Sequence, residues 1–406
     1  MMQVETKALV SALEIAGRAV QRRSRVPVLE QVRLRANGVL AVEASDLDTS
    51  LRVELPYSGE AVDLTIPGDS QLRAGLKLAG GETVRIARRD PGESGEKGQL
   101  RTVIESIGAL GPMRAEVMAY PADDHPGAER TGPHEFSVEL GADALRALHR
   151  VTPAISSEET RYYLNGVCVS KVGDWLYQFV ATDGHRLFIA DVPLPGAEGV
   201  LPDRTIIPKA ALKTMLDLFR KSPGPVVLRY ARKVDGNAMP HDLAEAPRGA
   251  PRLTVAGTVR GLPVVLTSKE IDGTYPDYTR VIPAVTQGRV RIKRQALVNA
   301  VRAVVAIASG SGKVMAVKLV FAPDGQVQVT RQSAIAGDAA VEIPAEHDLP
   351  DGTFVGVNGN YLLDALAAFT GEDVVLESGG EFAGSPMIIS DPTDTAFRVV
   401  QMPMRL

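Results

Sequence analysis

Cysteine is almost absent from this chain. Cys168 is the only one among 406 residues, which excludes an internal disulfide framework and suits a reducing, cytoplasmic location. It lies in the alternating run Val167-Cys168-Val169, a pattern typical of a buried, unreactive thiol rather than a nucleophile. The six histidines show no metal-ligand spacing, so we expect neither a metal site nor a cofactor.

Long apolar runs are also missing. No segment approaches the ~18 uninterrupted apolar residues of a membrane span, so no membrane partner is expected. Residues 1–5 lack a basic stretch followed by an apolar core, so no secretory signal is expected. The net charge of −4 excludes a polycation, and any contact with nucleic acid would need positive charge concentrated on one surface. The 45% of hydrophobic residues supply material for several ordinary domain cores.

What is present is a threefold repeat. Each copy begins with apolar residues at helical spacing and continues with a hairpin, whose turns are Asn37-Gly38, Gly173-Asp174 and Pro323-Asp324-Gly325. Each copy then has a short strand that enters a helix, at 64–80, 205–221 and 355–369, with Pro67 and Pro208 expected in the first helical turn. Further strands are predicted at 83–87, 226–230 and 373–377.

The repeat predicts an α+β chain of three similar domains. Its boundaries are expected in the Pro/Gly-rich stretch 121–133 and near residue 284, which gives domains 1–132, 133–284 and 285–406. Two polar stretches without apolar periodicity, 88–100 and 231–252, are predicted to be long surface loops.

Positive charge is concentrated on the predicted helices. Helices are expected at 6–25, 68–79, 142–151, 208–221, 293–303 and 358–369, where Lys and Arg exceed Asp and Glu by eleven. A fold with its helices on one side would present a basic surface suited to DNA phosphates without base readout. The alternative is that these residues are ordinary solvated helix surface.

Two motifs suggest chemistry only superficially. Ser309-Gly310-Ser311-Gly312-Lys313 lacks the first glycine of a phosphate loop and is followed by Val314 in place of Ser or Thr; it is predicted to be a turn. Thr182-Asp183-Gly184-His185-Arg186 leaves open a hydrolase that uses Asp183 and His185, but no serine elbow or oxyanion loop accompanies it. A structural turn is the preferred interpretation. A sequence-specific DNA binder would need a recognition helix rich in Asn, Gln and Arg, which no predicted helix is.

Several further segments resemble one family. They are Arg161-Tyr162-Tyr163-Leu164-Asn165-Gly166, Ala181 to Leu187, Tyr275-Pro276-Asp277-Tyr278, Tyr361-Leu362-Leu363-Asp364 and Met402-Pro403-Met404-Arg405-Leu406. In this order they resemble the DNA polymerase III β subunit, the bacterial sliding clamp, and the matches span nearly the whole chain.

The resemblance implies a non-catalytic processivity factor. Two chains would meet head to tail as a ring-shaped homodimer, with helices lining an inner channel and antiparallel sheets outside. The ring would encircle double-stranded DNA without sequence preference and tether DNA polymerases and the clamp loader. With the helix charges, the resemblance implies DNA contacts by Arg22, Arg23, Arg25, Arg73, Lys77, Arg146, Arg150, Tyr162, Tyr163, Lys209, Lys213, Lys293 and Arg294.

The family also binds partner peptides in a hydrophobic pocket. The residues implied here are Leu164, Thr182, Gly184, His185, Arg186, Leu187, Pro276, Arg280, Val281, Val400, Met402, Pro403, Met404 and Arg405. Methionines adapt to varied partners, and the arginines at 186, 280 and 405 are expected to hydrogen-bond a peptide backbone or carboxylate.

The chain departs from the family pattern in places. Gln401 is expected as a polar group on the pocket wall, Gly384 and Pro386 at a neighbouring wall position, and Phe188 where a small residue is common. Small residues, Ala115, Val117, Ile307 and Ala308, are expected at the subunit contact. The departures leave a specialised paralogue open, with a role in drug resistance or plasmid replication.

Overall fold

The computed structural model describes residues 1–89, 100–108, 111–129, 131–233, 250–307, 315–332 and 337–405. The phosphate-loop-like segment 309–313, Ala308, Leu406 and most of the two predicted loops (90–99 and 234–249) lie outside these residues. The chain forms two compact units. The first unit comprises Met1–Ala142, Pro195–Leu201 and Ala210–Glu270; the second comprises Asp143–Leu194, Pro202–Lys209 and Ile271–Leu406.

Six α-helices form where apolar residues recur at helical spacing. They are α1 (Thr6–Ala16), α2 (Ser70–Ala79), α3 (Ala142–Val151), α4 (Lys209–Phe219), α5 (Arg294–Ile307) and α6 (Gly359–Ala368). Side chains cap two of them: Asp69 accepts from the backbone N–H groups of the first turn of α2, and Asn358 does the same for α6. Short 3₁₀ helices lie at Pro27–Glu30, Ala122–Asp124, Thr152–Ala154, Glu159–Leu164 and Tyr278–Val281.

The strands of the described residues form antiparallel sheets. In chain order they are β1 (Met2–Glu5), β2 (Gln31–Asn37), β3 (Val39–Ser45), β4 (Thr49–Leu55), β5 (Ser58–Gly59), β6 (Asp63–Pro67), β7 (Thr83–Arg89), β8 (Arg101–Gly108), β9 (Gly111–Met118), β10 (Thr131–Glu139), β11 (Gly166–Lys171), β12 (Leu176–Thr182), β13 (Arg186–Pro193), β14 (Glu198–Gly199), β15 (Thr205–Pro208), β16 (Val227–Lys233), β17 (Pro251–Val259), β18 (Leu262–Lys269), β19 (Gln287–Lys293), β20 (Ala316–Ala322), β21 (Gln326–Arg331), β22 (Ala339–His347), β23 (Phe354–Asn358), β24 (Asp373–Ser378), β25 (Met387–Asp391) and β26 (Asp394–Gln401).

The threefold repeat is confirmed by the order of these elements. Repeat one runs β1-α1-β2-β3-β4-β6-α2-β7-β8-β9, and repeats two and three reproduce that order from β10 and from β19. Repeat one differs from repeat three by the short added strand β5, and repeat two by β14. The order of elements is the same although the sequences of the three copies have diverged, as expected for one supersecondary unit used three times.

The sheets run across the repeats. The first unit contains a five-stranded sheet, β5-β1-β7-β8-β9, and a nine-stranded sheet, β14-β10-β16-β17-β18-β4-β3-β2-β6. The second contains a twelve-stranded sheet, β15-β11-β12-β13-β26-β25-β24-β19-β22-β21-β20-β23. In the nine-stranded sheet, β4 of repeat one pairs with β18 of repeat two; in the twelve-stranded sheet, β13 of repeat two pairs with β26 of repeat three.

The predicted hairpins form as expected. Strands β2 and β3 pair around Gly38, whose φ of +75° is a conformation that glycine adopts without strain. Strands β20 and β21 pair around Gly325 at φ +77°. Alternating residues of these strands enter the core, where Leu34, Val42 and Leu319 are fully buried.

The predicted helix ends were less accurate. Helix α1 ends at Ala16 rather than at residue 25, so Arg18, Arg22, Arg23 and Arg25 follow the helix. Gly17 caps the end of α1, and a side chain there would lie 2.8 Å from the carbonyl oxygen of Leu13, so a larger residue would crowd the last turn. Within its true bounds α1 carries one lysine and one glutamate, and the six helices are less basic than the sequence predicted.

Other helix ends also moved. Arg220 and Lys221 follow α4, and Lys293 ends β19 instead of starting a helix. Pro67 and Pro208 close strands β6 and β15 rather than occupying first helical turns. At the end of a strand the missing N–H of proline need not break the ladder.

Cys168 is fully buried, and burial raises the pKa of its thiol to about 12, so the prediction of an unreactive thiol is confirmed. Across the described residues, no helix has the length and apolar character that crossing a membrane requires. The same residues contain no cluster of His, Cys, Asp and Glu side chains arranged to hold a metal ion.

Candidate functional sites

An apolar pocket of about 250 Å³ lies in the second unit. Its walls come from the 3₁₀ helix Glu159–Leu164, the β12–β13 turn, the 3₁₀ helix Tyr278–Val281 and the end of β26. Its lining includes nine of the predicted peptide-binding residues: Leu164, Thr182, Gly184, Arg186, Leu187, Pro276, Val281, Val400 and Met402. The backbone thus brings together segments that are far apart in sequence.

The floor of the apolar pocket is buried and its rim is partly exposed. Leu164, Leu187 and Val400 are buried within one hydrophobic cluster that also holds Tyr275 and Tyr278. At the rim, 38% of Met402 and 39% of Val281 are exposed. Such a pocket can take an apolar side chain without rearranging its floor.

The β12–β13 turn is held by Asp183. One carboxylate oxygen, Oδ1, accepts the backbone N–H groups of His185 (3.0 Å) and Arg186 (3.1 Å), and Gly184 adopts φ +88°. Asp183 has no hydrogen bond to the His185 ring, which stacks on Tyr361 with ring centroids 6.2 Å apart. The structural interpretation of this turn is therefore correct, and the geometry gives no support to an Asp183–His185 hydrolase.

Arg186 is held by contacts within the second unit. Its guanidinium donates to Asp183 at 3.0 Å, to Asp364 at 2.6 Å and to the carbonyl oxygen of Pro153 at 2.5 Å, and it lies 4.2 Å from the centre of the Tyr361 ring. Only 7% of the residue is exposed. Each of its three guanidinium nitrogens thus donates inside the protein, so Arg186, which also lines the pocket, holds the pocket wall in place.

The other predicted members lie near the apolar pocket but outside its lining. These are His185, Arg280, Pro403, Met404 and Arg405. The tail is fixed by its backbone: the N–H of Met402 donates to the carbonyl of His185, and that of Met404 to the carbonyl of Gly356. Sequence reasoning missed four lining residues, Arg161, Tyr163, Asp277 and Tyr278, although all lie within or beside the segments that carry the resemblance.

Gln401 is not on the pocket wall. Its Nε2 donates to the carbonyl of Asn358 at 3.3 Å, and its Oε1 is buried with no partner among the described residues. Successive strand residues point to opposite faces, so Val400 faces the pocket and Gln401 faces away. Gly384 and Pro386 lie between β24 and β25, away from the lining, and Phe188 is fully buried against Phe397.

A second cavity, the basic crevice, lies in the first unit and measures about 850 Å³. Helices α1, α2 and α4 and the β17–β18 turn contribute to its lining. Its charged residues are Glu14, Arg18, Arg22, Arg73, Lys77, Lys213, Asp217 and Arg260. Four of these, Arg22, Arg73, Lys77 and Lys213, were predicted to contact DNA; Arg18 and Arg260 were not.

Two carboxylates hold three of these cations. Glu14 accepts from Lys77 at 2.5 Å and from Arg260 at 2.5 Å, and these hydrogen bonds lower its pKa to about 2. Asp217 accepts from Arg18 at 3.2 Å. Arg73 donates to the carbonyl of Leu13 at 3.2 Å. Among the described residues, no ion pair reaches Arg22 or Lys213.

Of the remaining residues predicted to contact DNA, Tyr163 lines the apolar pocket, and the others fall into three groups. Arg23, Arg25 and Lys209 are exposed, as is 52% of Tyr162. Arg146 pairs with Asp143, and Lys293 with Glu372 and Asp373.

Arg150 and Arg294 are half-buried in contacts of their own unit. Arg150 donates to Asp394 at 2.6 Å and lies 3.8 Å from the centre of the Phe397 ring. Arg294 donates to the carbonyl of Gly371 at 2.8 Å.

Comparison with known proteins identifies the family. The model of the central domain of the DNA polymerase III beta subunit matches residues 140–277, and that of its C-terminal domain matches residues 279–405. The beta sliding clamp of Caulobacter vibrioides is 30% identical over 419 residues, which cover 100% of both chains. That of Pseudomonas putida is 27% identical over 407 residues and 99% of both chains.

Solved structures agree. The Caulobacter crescentus beta sliding clamp with bound polyethylene glycol is 27% identical, with a TM-score of 0.81 over 100% of this chain and 98% of that one. The Bartonella birtlesii sliding clamp bound to griselimycin is 26% identical, with a TM-score of 0.79 over 100% of both. This chain therefore belongs to the beta sliding clamp family, the non-catalytic processivity subunits of bacterial DNA polymerase III.

Proposed function

We propose that this chain forms a head-to-tail homodimer that encircles duplex DNA and tethers DNA polymerases and the clamp loader to it. The observation that carries the proposal is the pairing of strands at the junctions between repeats. Strand β4 of repeat one pairs with β18, the last strand of repeat two, and β13 of repeat two pairs with β26, the last strand of repeat three.

By this pattern of pairing, two strands lack a partner strand from another repeat. The counterpart of β4 and β13 in repeat three is β22, and the last strand of repeat one is β9. Among the described residues, β9 pairs only with β8. Strand β22 pairs with β21 through residues 339–344 and with β19 only through residues 345–347, so its first part has a neighbouring strand on one side only. An unpaired edge is a template for another chain. In a dimer, β9 of each copy would pair with β22 of the other copy, and these two contacts would close a ring.

Residues on β9 support this assignment. Ala115 and Val117, predicted at the subunit contact, both lie on β9 and are half-buried. Ile307, which ends α5, is 64% exposed. A small, half-covered apolar face beside an unpaired edge is suited to a subunit contact.

We assign the DNA contacts first to the exposed cations Arg22, Arg23, Arg25, Lys209 and Lys213, which would attract phosphates without reading bases. Arg73, Lys77, Arg146 and Lys293 would contact DNA only after leaving their present partners, and Tyr162 and Tyr163 are secondary candidates. Arg150 and Arg294 instead stabilise their own unit.

We assign partner binding to the apolar pocket, where a short peptide would bury an apolar side chain beside Met402 and Val281. The family-model limits at 140–277 and 279–405 support three domains at 1–132, 133–284 and 285–406. The proposed role in DNA replication and the near absence of cysteine support a cytoplasmic location. The departures that suggested a specialised paralogue lie away from the pocket wall, so they do not favour that role.

Topology provides the test. Protein loaded by a clamp loader on nicked circular plasmid should remain bound and should be lost when the plasmid is linearised, since a ring slides off an end. Equal retention on both forms would exclude encirclement. The mass in solution should be about twice the 43.2 kDa of the chain.

A further inference from the structure

The basic crevice is partly neutralised from within. Glu14 lies between Lys77 and Arg260, and Asp217 holds Arg18. The two arginine contacts join residues that are 246 and 199 positions apart. Half of the six cations that line the crevice are therefore already paired with a carboxylate of the same surface.

These pairs are weak as structural elements. Exposure of the side chains is 57% for Lys77 and Arg260, 42% for Arg18 and 49% for Asp217. Exposed ion pairs contribute little to folding stability, because water screens them and ordering long side chains costs entropy. A carboxylate does, however, present the same kind of anionic oxygen to a cation that a phosphate does.

We propose that Glu14 and Asp217 are internal counter-ions, which stand in for DNA phosphates and limit how tightly the basic crevice holds a duplex. A phosphate that approaches Lys77, Arg260 or Arg18 replaces a carboxylate contact instead of gaining a new one. Each such exchange has a small net gain, so the duplex moves past these side chains without a strong stopping point. The proposal rests on the DNA contact proposed above and adds Arg18 and Arg260 to it.

The charge of Glu14 is constant under working conditions. The pKa of Glu14 is held at about 2 by its hydrogen bonds to Lys77 and Arg260, so Glu14 is ionised at neutral pH. At Glu14 the competition with phosphate is therefore set by geometry rather than by pH.

Salt dependence of binding gives the test. Binding of a short fluorescent duplex would be measured by anisotropy from ~50 to ~200 mM salt, because the slope of log K against log salt reports the number of phosphates engaged. Glu14→Gln frees Lys77 and Arg260 and should steepen the slope by about two units, and Asp217→Asn frees Arg18 and should steepen it by about one. The control is Glu139→Gln, which removes the same charge from an exposed position on β10.

Two further measurements make the result decisive. Adding Lys77→Ala to Glu14→Gln should reverse about half of the change in slope, and the thermal midpoint and dimer mass of every variant should match the wild type. A Glu14→Gln slope equal to that of Glu139→Gln, or shallower than that of the wild type, overturns the proposal. Failure of encirclement would instead abolish the difference between circular and linear plasmid, whatever these slopes are.

Discussion

The guanidinium of Arg186 donates to the carboxylate of Asp364 at 2.6 Å, across 178 residues of sequence. The same guanidinium ties Asp183 to this contact at 3.0 Å, so one side chain fixes both the β12–β13 turn and helix α6. The wall of the apolar pocket therefore depends on a residue whose guanidinium is anchored inside the protein.

Replacing Arg186 should cost stability. Arg186→Ala removes the side-chain donor to Oδ2 of Asp183, to Asp364 and to the carbonyl of Pro153, and we expect a loss of about 3 kcal/mol in the free energy of unfolding. Urea denaturation measures it. Arg280→Ala is the matched control, since the Arg280 side chain is 83% exposed and, within the described part of the chain, pairs only with Asp277. It should cost less than ~1 kcal/mol. Equal losses would contradict the role assigned to Arg186.

Peptide affinity should depend on Met402 and not on Gln401. Met402→Ala removes an exposed apolar anchor from the rim of the pocket and should weaken binding of a polymerase-tail peptide by ~1–2 kcal/mol, measured by calorimetry. Gln401→Met keeps the volume and removes a buried amide that faces away from the pocket, so the peptide Kd should not change. A changed Kd for Gln401→Met would place Gln401 at the binding surface after all.

Substitutions of the crevice cations and of Arg150 should have opposite effects on DNA binding and on stability. Replacing Arg22 and Lys213 together by alanine should flatten the salt slope of duplex binding by about two units and leave unfolding unchanged. Arg150→Ala should have the reverse effect, because its guanidinium contacts Asp394 and Phe397: the free energy of unfolding falls by about 2 kcal/mol and the slope stays. If Arg150→Ala flattens the slope in an intact fold, Arg150 contacts DNA.

The free energy of unfolding should decrease as the pH is lowered, because His125 is buried in its neutral form. Burial lowers the pKa of this histidine below its ordinary value of 6.5, and its Nδ1 accepts the N–H of Gly127, which requires an unprotonated nitrogen. Below pH 6.5 the His125 ring binds a proton in the unfolded chain more readily than in the folded chain. The free energy of unfolding should therefore decrease as pH falls through that region, by at most about 1.4 kcal/mol per pH unit from this group.

Unfolding of His125→Gln, measured across the same pH range, isolates the contribution of His125. The variant should show a weaker dependence than the wild type below pH 6.5. His134→Gln, at an exposed position, should retain the wild-type dependence. If the His125→Gln and wild-type curves run parallel, His125 is not the group responsible.

Local patterns predicted what is local. The glycine turns at Gly38 and Gly325 and the alternation of β20 fix their hairpins without reference to distant residues. Helix α1 was predicted too long because the arginines between Arg18 and Arg25 favour helix as strongly as residues within it. Gln401 was misplaced although strand alternation relative to Val400 could have oriented it.

The ion pairs of the basic crevice could not be predicted. Glu14 and Arg260 are brought together by the packing of separate repeats in the first unit, and neither residue has a local motif that indicates the other. The same holds for Arg186, whose partner Asp364 lies on another repeat. The resemblance named the right segments for the apolar pocket, but side-chain direction within them needed coordinates.

The strand pairs β4·β18 and β13·β26 also bear on how far such a sequence can drift. Their hydrogen bonds join main-chain groups, such as those of Val53 and Val264, and every amino acid except proline supplies the same donor and acceptor. Mutation can therefore replace most side chains in these strand pairs without removing the main-chain hydrogen bonds between repeats. A relative with 27% sequence identity can keep a TM-score of 0.81 because main-chain hydrogen bonds connect one repeat to the next.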